Sequence, residues 1–140
     1  MPPILQNPIL NVAILSWFIA QSIKIIIKLV QVGKFDLGLL FASGGMPSSH
    51  TSFAVAMATK VGLVEGFDST FFAISSVFCL VVMYDAMGVR RQAGKHAEII
   101  NILITDWKNK PPLLKEVLGH KPLEVLFGLI LGVSVGLLFA

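Results

Sequence analysis

Two short segments of this chain combine an imidazole with residues that could hold an anion. Residues 44–51 read GGMPSSHT, so two glycines, a proline and two serines precede His50 at the start of an apolar run. Glycines let a backbone turn its N–H groups toward an anion, Pro47 suits a first helical turn, and the N–H groups of that turn favour phosphate. The open alternative is that Ser48 and Ser49 only cap a helix and that His50 is an interfacial side chain.

The second segment, residues 119–125 (GHKPLEV), places His120 directly before the last apolar run. Glu124 follows four residues later, within reach of an imidazole that it could orient and make more basic, as a histidine nucleophile requires. The open alternative is a loop histidine beside a helix-start carboxylate that the helix dipole favours. His96 lies in a basic stretch, and we expect it at the surface.

The composition of the chain indicates whether these residues belong to a membrane protein or to a soluble one. The chain has 140 residues, 55% of them hydrophobic and only 14% charged, with a mean hydropathy of +0.82. These values are typical of an integral membrane protein rather than a soluble domain. Because each membrane span takes about 20 residues, we expect one membrane-embedded domain over residues 1–140. Cys79, the single cysteine, cannot form an intrachain disulfide, and we expect it in the core.

Four apolar segments predict an all-α, polytopic membrane protein with about four transmembrane helices. They are residues 9–32, 47–64, 69–88 and 122–140. Helices are expected because lipid offers no hydrogen-bond partners to the backbone. The second segment is short and carries several polar residues, which favours shielding by its neighbours over contact with lipid. Residues 99–104 and 113–118 carry apolar residues among charges, so we expect short helices there at the membrane interface.

The distribution of charge predicts an orientation. Seven of the 11 Lys and Arg residues lie between residues 89 and 121, so that connection should be cytoplasmic. Helix alternation then puts both termini outside and the 33–46 connection in the cytoplasm, on the same face. Lys24 and Lys28, four residues apart near the end of the first segment, lie on one side of a helix at that face. Their alternative role is to reach the lipid headgroups along apolar surface.

Asp85 is the one acidic residue inside an apolar run that ends near two arginines. A carboxylate there is costly unless it is paired, so we expect an ion pair with Arg90, Arg91 or Lys24. The pair could orient a base that binds phosphate, or it could only neutralise charge. The arginines themselves could equally be charges that anchor the third helix and attract anionic lipid.

Taken together, these motifs resemble the type 2 phosphatidic acid phosphatase superfamily, which includes vanadium haloperoxidases. The closer resemblance is to its divergent branch of small bacterial and plastid membrane proteins. Residues 46–50 (MPSSH) resemble the family's Pro-Ser-Gly-His element, and residues 84–91 (YDAMGVRR) look like the divergent branch. Residues 119–128 resemble the third element, with Glu124 in place of Asp.

The resemblance implies a role for each site residue. His120 would attack phosphorus to give a phosphohistidine, Glu124 would hold its ring, and His50 would protonate the leaving oxygen. The scheme needs no metal or other cofactor, because positioned donors and cations supply the charge stabilisation. The implied phosphate-binding residues are Lys24, Ser48, the backbone at Ser49, and Arg90 or Arg91, with Asp85, Gly44 and Gly45 in support.

The sequence departs from the family pattern at three points. The family's Arg-Pro, seven residues after its lysine, is replaced here by Gln31 and Val32, so one phosphate clamp is missing. Arg90 and Arg91 lie far upstream of His120, so the intervening segment must fold back to reunite them. The chain is also smaller than six-helix members, and a homodimer could complete or shield the site.

The predicted function is metal-independent hydrolysis of a membrane lipid phosphate, of the phosphatidate or phosphatidylglycerophosphate type. The site would face the cytoplasm in a bacterial plasma membrane or a plastid-type membrane. One alternative is a non-catalytic membrane protein that retains an anion or lipid-phosphate pocket; another is an anion transporter, whose site should lie deeper. Nucleic acid is not an expected partner despite the pI of about 9.2, because most bases lie beside membrane spans.

Overall fold

The structure, a computed structural model, describes residues 6–33, 38, 44–105, 107, 111–116 and 118–139. Five helices and no strand occur in these ranges, which confirms the predicted all-helical fold. The helices are α1 (Pro8–Val32), α2 (Ser49–Glu65), α3 (Thr70–Met87), α4 (Val89–Leu103) and α5 (Pro122–Leu138). Most of the predicted cytoplasmic connection at 33–46 lies outside the described residues, as do Lys108 and Lys110.

Within the described ranges, two helical runs are long and apolar enough to cross a membrane. They are Pro8–Val32 and Thr70–Leu103, the second of which joins α3 to α4; α5 is a shorter apolar helix. At 1.5 Å per residue, α1 is about 38 Å long, more than the roughly 30 Å of a bilayer's hydrocarbon core. Phe71, Val77 and Leu80 on α3 have more than half of their surface exposed. Apolar exposure along such a helix suits contact with lipid and indicates a helical membrane protein.

Helix α2, the shortest predicted span, is the centre of the bundle. It packs against α1, α3 and α5, and ten of its 17 residues are buried. Its polar side chains have partners inside the bundle: Ser52 exchanges hydrogen bonds with Ser16 of α1, and the Thr59 hydroxyl donates to the Val55 carbonyl (2.8 Å). The prediction that neighbours shield this segment is confirmed.

Helix α5 approaches α2 closely because it presents a glycine every fourth residue. A Cβ at Gly128 would lie 2.6 Å from the carbonyl oxygen of Ser48, and one at Gly132 would lie 2.7 Å from that of Ser52. Gly136 makes the same kind of approach farther along. Small residues at this spacing let membrane helices pack backbone to backbone. The approach holds the N-terminus of α2 against the beginning of α5.

The segment after α4 folds back along that helix. The Asn101 side chain donates to the Leu114 carbonyl (2.9 Å) and to the Glu116 carboxylate (2.8 Å), and it accepts from the Leu114 N–H (2.9 Å). Gly94 makes room, since a Cβ there would lie 2.5 Å from the Glu116 carbonyl oxygen. The predicted interfacial helix at 113–118 is therefore wrong: its described residues are not helical, and their backbone bonds to Asn101.

Two smaller predictions concern α4 and the core. Residues 99–103 of the other predicted interfacial segment form the C-terminal part of α4, and Ile104 is the residue that caps it. Cys79 is buried between α3 and α2, where its thiol donates to the Ala54 carbonyl (3.0 Å). Its expected place in the core is confirmed.

Candidate functional site

The fold-back brings residues that are distant in sequence to one end of the bundle. The His120 N–H donates to the Ala86 carbonyl (2.9 Å), which ties the beginning of α5 to the end of α3. Gly119 has a φ of 76°, and any Cβ there would collide with the backbone of Arg90 and Arg91. The expected return of the long segment to the two arginines is thus present in the fold.

The two histidines of the predicted site face each other. The ring centroids of His50 and His120 lie 6.5 Å apart, with 74° between the ring planes. His50 is exposed in the first turn of α2, whereas His120 is only 3% exposed. Neither ring nitrogen of His120 has a hydrogen-bond partner among the described residues. A buried imidazole with free nitrogens therefore lies one phosphate's width from an exposed imidazole.

The surroundings of His120 keep its ring uncharged at neutral pH. Burial lowers the pKa of His120 to about 4, and the positive charges of Lys24, His50 and Arg90 act in the same direction. A neutral imidazole has a free lone pair on one ring nitrogen, which is what a nucleophile needs.

Lys24 is buried within the bundle rather than lying along its apolar surface. It is 7% exposed, and its ammonium donates to the Ser49 hydroxyl (3.2 Å). The carboxylate of Glu124 is the acidic group whose charge acts on it. The alternative of a lysine that reaches along apolar surface is wrong for Lys24. Lys28 is exposed and lines a cavity beside it.

Ser48 caps α2, as one of the two interpretations of the motif required. Its side-chain oxygen accepts from the Thr51 N–H (3.3 Å) and hydroxyl (2.9 Å), and its own N–H donates to the Glu124 carbonyl (2.9 Å). Pro47 lies before this cap, so its predicted place in the first helical turn is wrong. The reason is that Ser48 takes the capping position and the helix begins one residue later.

The N-terminus of α2 nevertheless keeps its capacity for anions. The N–H groups of Ser49 and His50 lie in the first helical turn, where no carbonyl of the helix can accept them. Gly44 and Gly45 lead into the turn with φ values of 96° and 83°, a conformation that residues with a Cβ rarely adopt. The capping and anion-binding interpretations are therefore compatible, because they use different backbone groups.

Asp85 pairs with Arg90, the first of the three partners considered. The Arg90 Nε and Asp85 Oδ2 atoms lie 2.6 Å apart across the α3–α4 junction, with both side chains partly exposed. Both charges act on the His50 ring. Arg91 instead lines a cavity with His120. Arg90 therefore adds charge near both imidazoles, since it also acts on His120, and Arg91 lies beside His120.

Glu124 does not hydrogen-bond His120. Its carboxylate accepts from the Lys121 N–H (3.0 Å), and the Glu124 N–H donates to the Lys121 carbonyl (2.9 Å) at the start of α5. The predicted contact with the imidazole is wrong in this structure, because the Lys121 amide is closer along the chain and otherwise unpaired. His96 lies exposed on α4, as expected.

Two polar cavities meet at this end of the bundle. The arginine-side cavity, about 220 Å³, contains His120, Arg91 and Lys95. The lysine-side cavity, about 500 Å³, contains Lys24 and Lys28. Gly45, Lys121 and Glu124 line both.

Sequence reasoning missed two bases of this site. From the sequence, Lys95 and Lys121 were identified only as charges of the predicted cytoplasmic connection. In the structure Lys95 lines the arginine-side cavity and Lys121 lines both cavities. Lys95 follows Arg91 by four residues, which puts both side chains on one face of α4. That spacing is a signal that could have found it, as is the position of Lys121 directly after His120.

Comparison with known proteins bears on these residues. A family model described as the divergent PAP2 family matches residues 5–135, a range that includes all of the site residues. The chain is also 41% identical over 136 residues to "Uncharacterized membrane protein YuiD" of Bacillus subtilis (strain 168), with 86% of each chain covered. No solved structure matches the chain.

Proposed function

Because this chain belongs to the divergent PAP2 family, we propose that it hydrolyses the phosphate monoester of a membrane lipid through a phosphohistidine. The observation that carries the proposal is the 6.5 Å separation of the His50 and His120 rings, where neither nitrogen of the buried ring has a partner among the residues that the structure describes. One ring is neutral and can attack phosphorus, while the exposed ring can exchange protons with solvent. The substrate class is a lipid phosphate of the phosphatidate or phosphatidylglycerophosphate type.

The reaction proceeds in two balanced steps. In the first, the His120 lone pair forms a bond to phosphorus, the bond from phosphorus to the lipid oxygen breaks, and protonated His50 gives its proton to that oxygen. The lipid leaves as an alcohol. In the second, water attacks the phosphohistidine, His50 takes a proton from the water, and the bond between nitrogen and phosphorus breaks. Inorganic phosphate leaves and both histidines return to their starting states.

The remaining groups stabilise the phosphoryl oxygens. Lys24 and the N–H groups of Ser49 and His50 approach from the α1 and α2 side, and Arg90 and Arg91 approach from the α4 side. Charge that develops on the oxygens is best stabilised by donors that are already in place. The hydrogen bond of Lys24 to Ser49 and the Asp85 ion pair of Arg90 support such fixed positions.

The site belongs, in this proposal, to the cytoplasmic face of a multi-pass protein. The excess of Lys and Arg between residues 89 and 121 supports that orientation. Lys24 and Lys28 lie near the C-terminal end of α1, one of the two long apolar helices, which supports a site at headgroup level. A lipid phosphate can reach this depth without leaving the bilayer.

Two observations favour a second function, the binding of a lipid phosphate without turnover. The Glu124 carboxylate is engaged by the Lys121 N–H, so it does not hold the His120 ring as a nucleophile's partner would. Gln31, which lines the lysine-side cavity, stands where the family resemblance calls for arginine. A protein with this pocket and no turnover would bind the same ligand class.

Phosphate release from purified protein in detergent separates the two functions. The substrates are phosphatidate and phosphatidylglycerophosphate, with EDTA present, and the variants are His120→Ala and His50→Ala. His96→Ala is the matched control, because it removes the exposed imidazole of α4. Release that disappears in the first two variants and persists in the control supports the phosphohistidine mechanism. A native protein that binds vanadate or phosphatidate but releases no phosphate supports the binding function.

A further inference from the structure

An apolar groove lies between α1 and α5 next to the lysine-side cavity. It has a volume of about 270 Å³, and its walls include Ile23 and Ile27 of α1 and Phe127 and Ile130 of α5. Met46, which comes just before α2, is also part of its wall. Both helices are apolar along the groove, so its surface suits a hydrocarbon chain and offers little to a polar ligand.

The groove and the lysine-side cavity are neighbours. Ile27 and Met46 line both of them, so the apolar walls of the groove begin beside the charged walls of the cavity. On the polar side, Lys24 and Lys28 supply positive charge. A ligand that spans the two spaces must carry an anionic group at one end and an apolar chain at the other.

The direction of the groove fits a chain that leads away from the site into the bilayer. From Phe127 to Ser134 the lining residues of α5 advance by seven positions, about 10 Å at 1.5 Å per residue. On α1 the lining residues advance the opposite way, from Ile27 back to Ile23. Since α5 leads away from the site and α1 leads toward it, both sets move away from the polar end together.

We propose that the groove between α1 and α5 holds an acyl chain of the phosphate ester whose phosphate lies where the two polar cavities meet, between Lys24 of the lysine-side cavity and His120 of the arginine-side cavity. This inference rests on the proposed function for the identity of the headgroup. It adds the subsite that selects a lipid over a soluble phosphate monoester. The ligand enters laterally from the bilayer, between α1 and α5, with its phosphate at the level of Lys24.

A second apolar groove serves as the control for non-specific contact with bulk lipid. It has about 460 Å³ between α2, α3 and α5, and Leu80 and Val133 are among its walls. None of its lining residues lines either polar cavity. Bulk lipid covers this groove as readily as the first. Val133 also lies on α5, three residues from Ile130, so the pair supplies matched variants.

Photo-crosslinking tests the subsite without requiring turnover. The probe is a phosphonate analogue of phosphatidate that cannot be hydrolysed, with a diazirine midway along one acyl chain, in phosphatidylcholine vesicles containing the full chain. We expect label on the α1 and α5 residues of the first groove, and competition by unlabelled phosphatidate. Ile130→Trp should remove most of the label, and Val133→Trp should leave it.

Other outcomes of the crosslinking overturn the subsite. Label that is equally strong in the groove of Val133, or that survives Ile130→Trp, would place the chain elsewhere. So would equal label from a phosphatidylcholine probe with the same diazirine, which reports annular lipid. Because the probe is not hydrolysed, a protein without phosphatase activity still gives a clear answer, and failure of the proposed function is seen separately.

Kinetics give a second measurement if the protein turns over phosphatidate. Ile130→Trp should raise KM for phosphatidate about tenfold, the effect of losing roughly two buried methylene groups. Hydrolysis of p-nitrophenyl phosphate, which has no acyl chain, should be unchanged in the same variant. Equal losses for both substrates, or an equal effect of Val133→Trp, would contradict the assignment.

Discussion

The two ends of the central helix each bury a lysine, and only one of them has the features of a reactive site. Lys24 lies beside the N-terminus of α2, and Lys60 lies near its C-terminus; each is 7% exposed. The Lys60 ammonium donates to the Phe139 carbonyl (3.3 Å), whereas Lys24 donates to the Ser49 hydroxyl (3.2 Å). Both lysines are therefore buried and paired.

The difference lies in what surrounds the ammonium groups. Near Lys24 there are two polar cavities, a first helical turn whose N–H groups no carbonyl of the helix can accept, and a buried imidazole whose nitrogens have no hydrogen-bond partner in the described part of the chain. Lys60 donates to a carbonyl at the C-terminal end of α5, where the helix dipole favours a cation. A buried charge in a membrane helix is thus a poor guide to function by itself. Unsatisfied groups that converge on the charge are the better guide.

The sharpest test of this contrast replaces each lysine with methionine. Lys24→Met should lower kcat/KM for phosphatidate by about 10²–10³-fold, because a fixed cation is lost from the phosphate. Lys60→Met should leave kcat/KM near the native value, although its stability changes. Vanadate affinity, measured by competition, should follow the same order. Equal losses of activity would show that both lysines act through the fold.

The pH dependence of stability tests the state of His120. Its pKa of about 4 lies below the unfolded value of about 6.5, so the unfolded chain binds more protons between these values. The native state is therefore fully favoured above pH 6.5 and loses on the order of 3 kcal/mol as pH falls to 4. Thermal unfolding in detergent should show this loss, and His120→Gln should reduce it. An identical pH slope in the variant would contradict a neutral buried imidazole.

The glycines of α5 test the difference between the two ends of α2, because each packs against a different end. Gly128→Ala pushes against the Ser48 carbonyl at the site, and Gly136→Ala pushes against the Thr59 side chain near the far end. Each should cost about 1–3 kcal/mol of stability, as overpacking does. Only Gly128→Ala should also lower kcat/KM, since it displaces the first turn of α2. Thermal unfolding and kinetics on the same preparations check this, and equal activity losses would count against it.

Much of the fold could be predicted because the apolar runs begin at or near residues that cap the helices. The predicted segment 69–88 became Thr70–Met87, with Ser69 as its cap, and segment 9–32 became Pro8–Val32. The failure at 113–118 has a specific cause. Its backbone bonds to Asn101, a partner on α4 that apolar periodicity within the segment cannot reveal.

The site could be predicted in part. His50, His120 and Lys24 converge as their placement beside the spans indicated, since helix alternation puts those span ends on one face. The partner of the Glu124 carboxylate was not predicted, because two donors at the start of α5 could reach it, the His120 ring and the Lys121 N–H. In the structure the carboxylate accepts from the Lys121 N–H, which is closer along the chain. A carboxylate in the first turn that accepts from the N–H of the capping residue is a known pattern of helix starts. This contact could therefore have been considered beside the predicted contact with His120.

The smallest expected effect concerns the ion pair at the α3–α4 junction. Asp85 and Arg90 are partly exposed, so Asp85→Asn should change stability by less than about 1 kcal/mol. Without its partner, the Arg90 guanidinium is less well placed, and kcat/KM for phosphatidate should fall by about two- to fivefold, on the order of 0.5–1 kcal/mol. Asp68→Asn, in the turn between α2 and α3 at the far end, is the control and should leave kcat/KM unchanged. Measurements at low and high salt give a further check. Salt screens exposed ion pairs, so the difference in kcat/KM between the two variants should become smaller as the salt concentration rises. If Asp85→Asn matches its control at low salt, the pair only neutralises charge, and the site end differs from the far end through Lys24 and the imidazoles alone.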